Sequence, residues 1–147
     1  MSDESRTDCC FEDLSVGEAA EIARTVTEAD IAAFAAVSGD FNPMHVDEDY
    51  ARASPFKGRI AHGMLSGAFI STVLGMKLPG PGCIYVAQSL NFKRPVRIGD
   101  TVVTRCEVTG LVPAKKLATL RTTCRVDGKV VVDGEATLMV PGSRSAA

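Results

Sequence analysis

The sequence predicts an α+β fold in which a curved antiparallel sheet wraps one long central helix, and three observations predict it. The run from Gly63 to Met76 is apolar nearly all round, with Leu65, Ala68, Phe69, Ile70, Val73 and Leu74 spread over every face. Such a helix is enclosed rather than laid on a surface. From Ile84 onward the hydrophobic period changes to two, the signature of strands. Asp127-Gly128 lies between the last two of these segments and is a tight-hairpin signal. At 147 residues the chain fits one domain, read as 1–147 with polar tails at about 1–10 and 142–147. A chain of that size can bury about two-thirds of its unfolded surface.

In chain order, Val16-Gly17-Glu18 leads into a strand-like segment with Ala20, Ile22, Arg24 and Val26 on one alternation. Thr27 with Asp30 three residues later imitates a capping box, with Asp in place of the usual Glu or Gln. A helix is expected from about Glu28 to Val37, its apolar set Ile31, Phe34, Ala35 and Val37 falling mostly on one face. Pro43 stops that pattern and pushes Asn42 toward extended geometry, so Asp40 and His45 are expected on non-helical backbone. Asp47-Glu48-Asp49 opens a second short helix, its carboxylates suited to the positive end of the dipole, and Ser54-Pro55 closes it. Phe56 to Ala61 reads as loop. Beyond the central helix, Pro79, Gly80, Pro81 and Gly82 make a turn. The expected strands are Ile84–Phe92, Val96–Ile98, Thr101–Leu111, Leu117–Val126 and Lys129–Val140, with Val112 to Lys115 as a longer hairpin loop. With little else to cover the sheet, its free edge and face invite a partner subunit.

Composition excludes several function classes. The net charge of −2 comes with both signs scattered, so no basic stripe offers itself to nucleic acid. The longest apolar stretch falls short of the ~20 residues that span a bilayer, and the acidic start lacks the architecture of a signal peptide. A soluble cytoplasmic protein is expected, with no membrane or nucleic-acid partner. The five cysteines form no C-x-x-C pair, and Cys106 and Cys124 read as small buried hydrophobes within strands. With two histidines and no H-E-x-x-H, no metal site is expected.

The chemistry-bearing stretch is Ser38-Gly39-Asp40-Phe41-Asn42-Pro43-Met44-His45, with His62-Gly63-Met64 opening the central helix. A five-residue turn can bring an aspartate and a histidine onto a shared water, the geometry that general acid/base chemistry requires. The same residues also permit a plain turn, in which Asp40 caps it, Asn42 makes an Asx turn and His45 is an ordinary surface side chain. Gly63 stands at the first turn of the helix, where N–H groups lack internal partners and carry the positive end of the dipole.

Together with Asn91-Phe92-Lys93-Arg94-Pro95-Val96 and Gly99-Asp100, these segments make the chain resemble the MaoC-like dehydratases, and among them the small single-domain (R)-specific enoyl-CoA hydratases. The resemblance runs from Phe11 to about Val140. It implies the hot-dog fold, a homodimer joined sheet edge to sheet edge, and an acyl-CoA thioester substrate. It further implies that Asp40 and His45 hold a water that adds across the double bond of a trans-2-enoyl thioester, giving the (R)-3-hydroxyacyl product. Gly63 matches the residue whose N–H receives the thioester oxygen, Asn42 supports the loop, and Ser71 matches a serine that supports the aspartate. Leu74 is an acyl-tunnel residue or simple core packing, and His62 a hydrogen-bonded structural residue. No cofactor is implied, because hydration moves only water and protons. Two other readings are a 3-hydroxyacyl-acyl-carrier-protein dehydratase and a non-catalytic acyl-thioester binding module. Intact Asp40 and His45 argue against the second.

Overall fold

The computed structural model describes residues 8–142, so most of both tails lies outside the described residues. A 3-10 turn, Phe11–Asp13, is followed by β1 (Ala19–Thr25), α1 (Glu28–Ser38), α2 (Pro43–Val46), α3 (Glu48–Arg52) and α4 (Gly63–Met76). The strands β2 (Ile84–Gln88), β3 (Asn91–Phe92), β4 (Thr101–Val112), β5 (Leu117–Val126) and β6 (Lys129–Met139) complete the chain. They form one six-stranded sheet in the order β1-β4-β5-β6-β2, with β3 also on β6. Every pairing is antiparallel, and the sheet stays open at β1 and β2.

Alternation places the core on one face of this sheet. Val102, Thr104, Cys106 and Val108 of β4 and Ala118, Leu120, Thr122 and Cys124 of β5 are buried, as are Ala136 and Leu138 of β6. Against them α4 lays Leu65, Phe69, Ile70, Val73 and Leu74. Register shifts interrupt β2, β4 and the β5–β6 pairing, and bulges of this kind bend a strand and increase its twist. At Asp127-Gly128 both residues have positive φ, 49° and 78°, the primed turn that matches strand twist.

Several boundaries differ from expectation. Cys9, assigned to the tail, is partly buried and donates its N–H to Pro81 O at 2.9 Å. Ile84–Phe92 is two strands, both paired with β6, in one register from Ala87 onward, and interrupted at Ser89-Leu90, where Gly134 lets the backbones approach: a Cβ at Gly134 would lie 1.8 Å from Ser89 O. Val96–Ile98 is not a strand; Val96 is buried, and the segment ends in a turn at Ile98-Gly99. Val37 is 84% exposed, so the apolar face of α1 comes down to Ile31 and Ala35, with Phe34 half-buried. In the single chain α4 is not enclosed on all sides either. Met64, Ala68, Ser71, Thr72 and Met76 remain exposed along one stripe. No helix among the described residues is long and apolar enough to cross a membrane.

Candidate active site

The loop after α1 is built by local hydrogen bonding. The Thr27–Asp30 box caps α1 at its start, and Gly39, in the left-handed region at φ 80°, ends it. Ser38 Oγ accepts the Asp40 N–H at 3.1 Å, and an Asp40 carboxylate oxygen accepts the Asn42 N–H at 3.2 Å. Asn42 then caps α2 through its side-chain oxygen, which accepts the Met44 N–H at 3.0 Å. His45 therefore sits in a one-turn helix rather than on non-helical backbone. Pro43 stops α1 but also starts α2, since its fixed φ suits a first helical position.

Two segments distant in sequence meet this loop. His45 Nδ1 lies 2.7 Å from Ile60 O, and His62 Nε2 lies 2.9 Å from the backbone O of Asp40. A carbonyl oxygen only accepts, so each of these nitrogens carries its ring's proton. In the neutral rings the lone pairs are then on His45 Nε2 and His62 Nδ1. His62 is buried, at 2% exposure, and its Nδ1 has no hydrogen-bond partner. The two imidazoles stack with centroids 3.9 Å apart, and Phe34 packs on the other ring contact of His62 at 4.8 Å. Ligating atoms of Asp40, His45 and His62 all lie within 4.8 Å of one another. Spacing along the chain gave no metal motif, yet the fold assembles three donors from two loops.

The N-terminus of α4 opens onto the same place. His62 occupies its cap position but gives no side-chain cap, since its ring is turned to Asp40. Of the first-turn N–H groups of α4, Leu65 donates to His62 O at 3.0 Å, and Gly63 at the very start keeps the orphan character that helix starts have. A cavity of about 580 Å³ runs from His45 and Gly63 past Phe56, Ile60, Val96 and Val132, with Lys93 and Arg94 on its wall. The Phe92 ring covers Gly63 closely: a Cβ there would meet it at 2.7 Å.

Two of the expected site residues stand apart. Ser71 is exposed, makes no hydrogen bond to Asp40 among the described residues, and lines a second groove of about 530 Å³ with Phe34, Met64, Tyr85 and Val86. Leu74 is 1% exposed, packs in the core and lines neither cavity. Conversely, Arg59 went unnoticed in the sequence. It pairs with Glu28 of α1, reaches Glu48 of α3 at 3.3 Å and His45 O at 3.5 Å, and so ties three elements around the site. Its partners lie 11 to 31 positions away, a separation that leaves no local pattern.

Comparison with known proteins bears on the family and the fold. The profile of the MaoC like domain matches residues 16–130. An (R)-specific enoyl-CoA hydratase of Rhodospirillum rubrum is 64% identical over 131 residues, covering 89% of this chain and 91% of the relative. Among solved structures, the unliganded R-hydratase of Pseudomonas aeruginosa superposes with a TM-score of 0.87 at 47% identity, covering 92% of this chain and 88% of that one. The (R)-hydratase of A. caviae involved in PHA biosynthesis gives 0.86 at 44%, covering 88% and 99%. The six-stranded sheet with its one long helix is the hot-dog arrangement of these neighbours.

Proposed function

The chain belongs to the MaoC-like domain family, and from that premise we propose that it is a hydro-lyase that reversibly hydrates trans-2-enoyl-CoA to (R)-3-hydroxyacyl-CoA, with Asp40 and His45 as its catalytic pair. The observation that carries the reading is the tautomer of His45. Nδ1–H is committed to Ile60 O, which leaves Nε2 for the reaction, and a ring nitrogen of His45 lies within 4.8 Å of an Asp40 carboxylate oxygen, beside the uncapped start of α4. A water held between them has its oxygen free to attack.

In the hydration direction, one O–H bond of that water breaks and the proton passes to His45 Nε2 as the oxygen bonds to C3 of the enoyl group. The electron pair of the double bond moves to C2 and onto the thioester oxygen. Asp40 accepts the water's other hydrogen and orients it. The charge on the thioester oxygen is received by the Gly63 N–H, and a preorganised donor of this kind is commonly worth ~3–4 kcal/mol. His45 then returns its proton to C2, so nothing is gained or lost except water. Asn42 supports the pair by capping α2 under His45.

Lys93 and Arg94 on the cavity wall fit the phosphates of coenzyme A. The same two cations would also suit the acidic surface of an acyl carrier protein, the second reading. We further infer that two copies pair along β2 to make the homodimer that the open sheet edge and the exposed stripe of α4 invite.

The test is a hydration assay on crotonyl-CoA and longer enoyl-CoAs, with the product's stereochemistry determined, run beside crotonyl-acyl-carrier-protein. (R)-3-hydroxyacyl-CoA at the higher kcat/KM supports the reading. An (S) product, or no turnover on any thioester, refutes it, and a preference for the carrier protein moves it to the alternative.

A further inference from the structure

His62 is a buried titratable side chain at the site to which the hydration chemistry gives no task, and its surroundings are not those of a plain core residue. It is 2% exposed, and its Nε2–H donates to the backbone O of Asp40 at 2.9 Å. Its ring stacks on that of His45 with centroids 3.9 Å apart and 29° between the planes, and Phe34 packs against it at 4.8 Å. Its own main chain runs straight into Gly63, the first residue of α4. The Nδ1 atom is buried without a hydrogen-bond partner among the described residues. A buried acceptor left in that condition costs stability. A phenylalanine would fill the same slot with no such cost, so packing alone does not account for an imidazole here; the Nε2–H bond to Asp40 does.

We propose that His62 is a positioning residue: its N–H fixes the main chain that carries the Asp40 carboxylate, and its ring face sets the plane in which His45 presents Nε2. Both contacts work beside Ile60, two positions earlier, whose N–H donates to Met44 O at 3.2 Å and whose carbonyl accepts the His45 Nδ1–H at 2.7 Å. The His45 ring can tilt about its bond to Ile60 O, since one hydrogen bond fixes a direction and not a plane. A flat ring stacked 3.9 Å away removes that freedom. His62 thereby couples Asp40, His45 and the start of α4, three parts of the site supplied by separate segments, and acts through these neighbours. Placement of this kind matters because a misplacement of about 1 Å at the reacting groups can cost on the order of 10²-fold in rate. The effect on rate rests on Asp40 and His45 being the catalytic pair; the hold of His62 on the His45 ring does not.

The experiment compares, in the untagged full chain, His62→Gln, which keeps an N–H donor for Asp40 O but removes the ring, with His62→Phe, which keeps a ring beneath His45 but removes the donor. Thermal unfolding and crotonyl-CoA kinetics are measured on each, with nitrogen NMR of histidine-labelled protein at mildly alkaline pH. The chain has two histidines, so in either variant the remaining ring signals belong to His45. In the wild type His45 is expected as the Nδ1–H tautomer alone. His62→Gln should admit the opposite tautomer, and His62→Phe should not. Both variants should lower kcat by about tenfold or more with KM within about threefold of wild type, because substrate binding is kept while the reacting groups are misplaced. Wild-type kcat in both overturns the proposal, as does a loss that only tracks the folded fraction read from unfolding. Wild-type kcat with an unchanged His45 tautomer in His62→Gln overturns the role of the ring face, and wild-type kcat in His62→Phe overturns that of the N–H. Absence of turnover in the wild type refutes the hydratase reading instead, and the His45 tautomer in His62→Gln then still decides whether His62 holds the ring.

Discussion

At the scale of single residues, the site rests on which ring nitrogen of His45 carries the proton, and a carbonyl partner decides that. Asp40→Asn and His45→Gln should therefore leave folding intact and lower turnover by ~10²–10⁴ each, the usual contribution of a general acid or base. The double variant should lose little beyond the worse single one, since groups that act on one water are non-additive. Urea midpoints and initial rates on the same samples check this; near wild-type turnover in either single variant returns the loop to a plain turn. Gly63 needs a different design, because a methyl there meets the Phe92 ring at 2.7 Å before any substrate arrives. Gly63→Ala is expected to lose turnover steeply, and the comparison that matters is Gly63→Ala placed in a Phe92→Ala background. If the methyl acts by pushing the thioester oxygen off the helix N–H, removing the ring does not restore the rate. Recovery to the level of Phe92→Ala alone would show that Gly63 is there only to make room for Phe92.

Local sequence carried most of this site. Asp40, Asn42 and His45 are within six positions of one another, and turn chemistry between neighbours can be read from residue type. What the sequence concealed is the contact made from afar: Ile60 O choosing the tautomer, His62 stacking beneath His45, and Arg59 binding Glu28 and Glu48. Ser71 and Leu74 were placed by resemblance; Leu74 packs in the core, and Ser71 is exposed on the groove beside β2 rather than at Asp40 and His45.

At the scale of elements, α4 and β5 have the bounds the hydrophobic periods set, because a fourteen-residue run with apolar side chains on most faces and a segment of near alternation leave few other packings. The failures are where tertiary geometry overrides pattern, as at the close approach of Ser89 to Gly134. The capping box of α1 is a local feature that can be tested by pH. Its Asp30 carboxyl is held below the ordinary value of 3.8, first by the Thr27 backbone N–H and then by the Thr27 hydroxyl and by Arg24, 3.6 Å away. A depressed folded-state value contributes stability above 3.8, and that contribution is lost as pH falls through the lower folded value. Thr27→Ala should destabilise by about 1 kcal/mol at neutral pH. Asp30→Asn should also lower the urea midpoint at pH 7, with the gap from wild type closing as the solution is acidified below the ordinary carboxyl range. A gap that stays constant with pH would mean that the Asp30 carboxylate does not support the cap.

At the scale of the whole molecule, the surface carries more apolar area than a lone chain needs. On β2, Ile84 and Val86 are each 54% exposed, and among the described residues that strand pairs only with β6, which leaves its other edge open there. Beside it the stripe of α4 leaves Met64 55% and Met76 72% exposed, and Tyr85 and Val86 line the groove between the two. An open, apolar edge is a template for further pairing, and soluble proteins normally protect it with charge or with a partner. No Lys, Arg, Asp or Glu lies within Ile84–Gln88, so charge is not what protects this one. A second copy pairing antiparallel along β2 would cover both the edge and the stripe, and a two-fold axis would bring each Val86 near its counterpart. Val86→Lys should then set like charges against each other at the junction and give monomers, while the Asp40–His45 loop, between α1 and α2, keeps its local hydrogen bonds. Light scattering at micromolar concentration reads this directly: wild type at twice the chain mass and the variant at one. A wild-type monomer, or a variant that stays dimeric with unchanged dissociation, would place the interface elsewhere and leave the exposed edge to be explained by another partner.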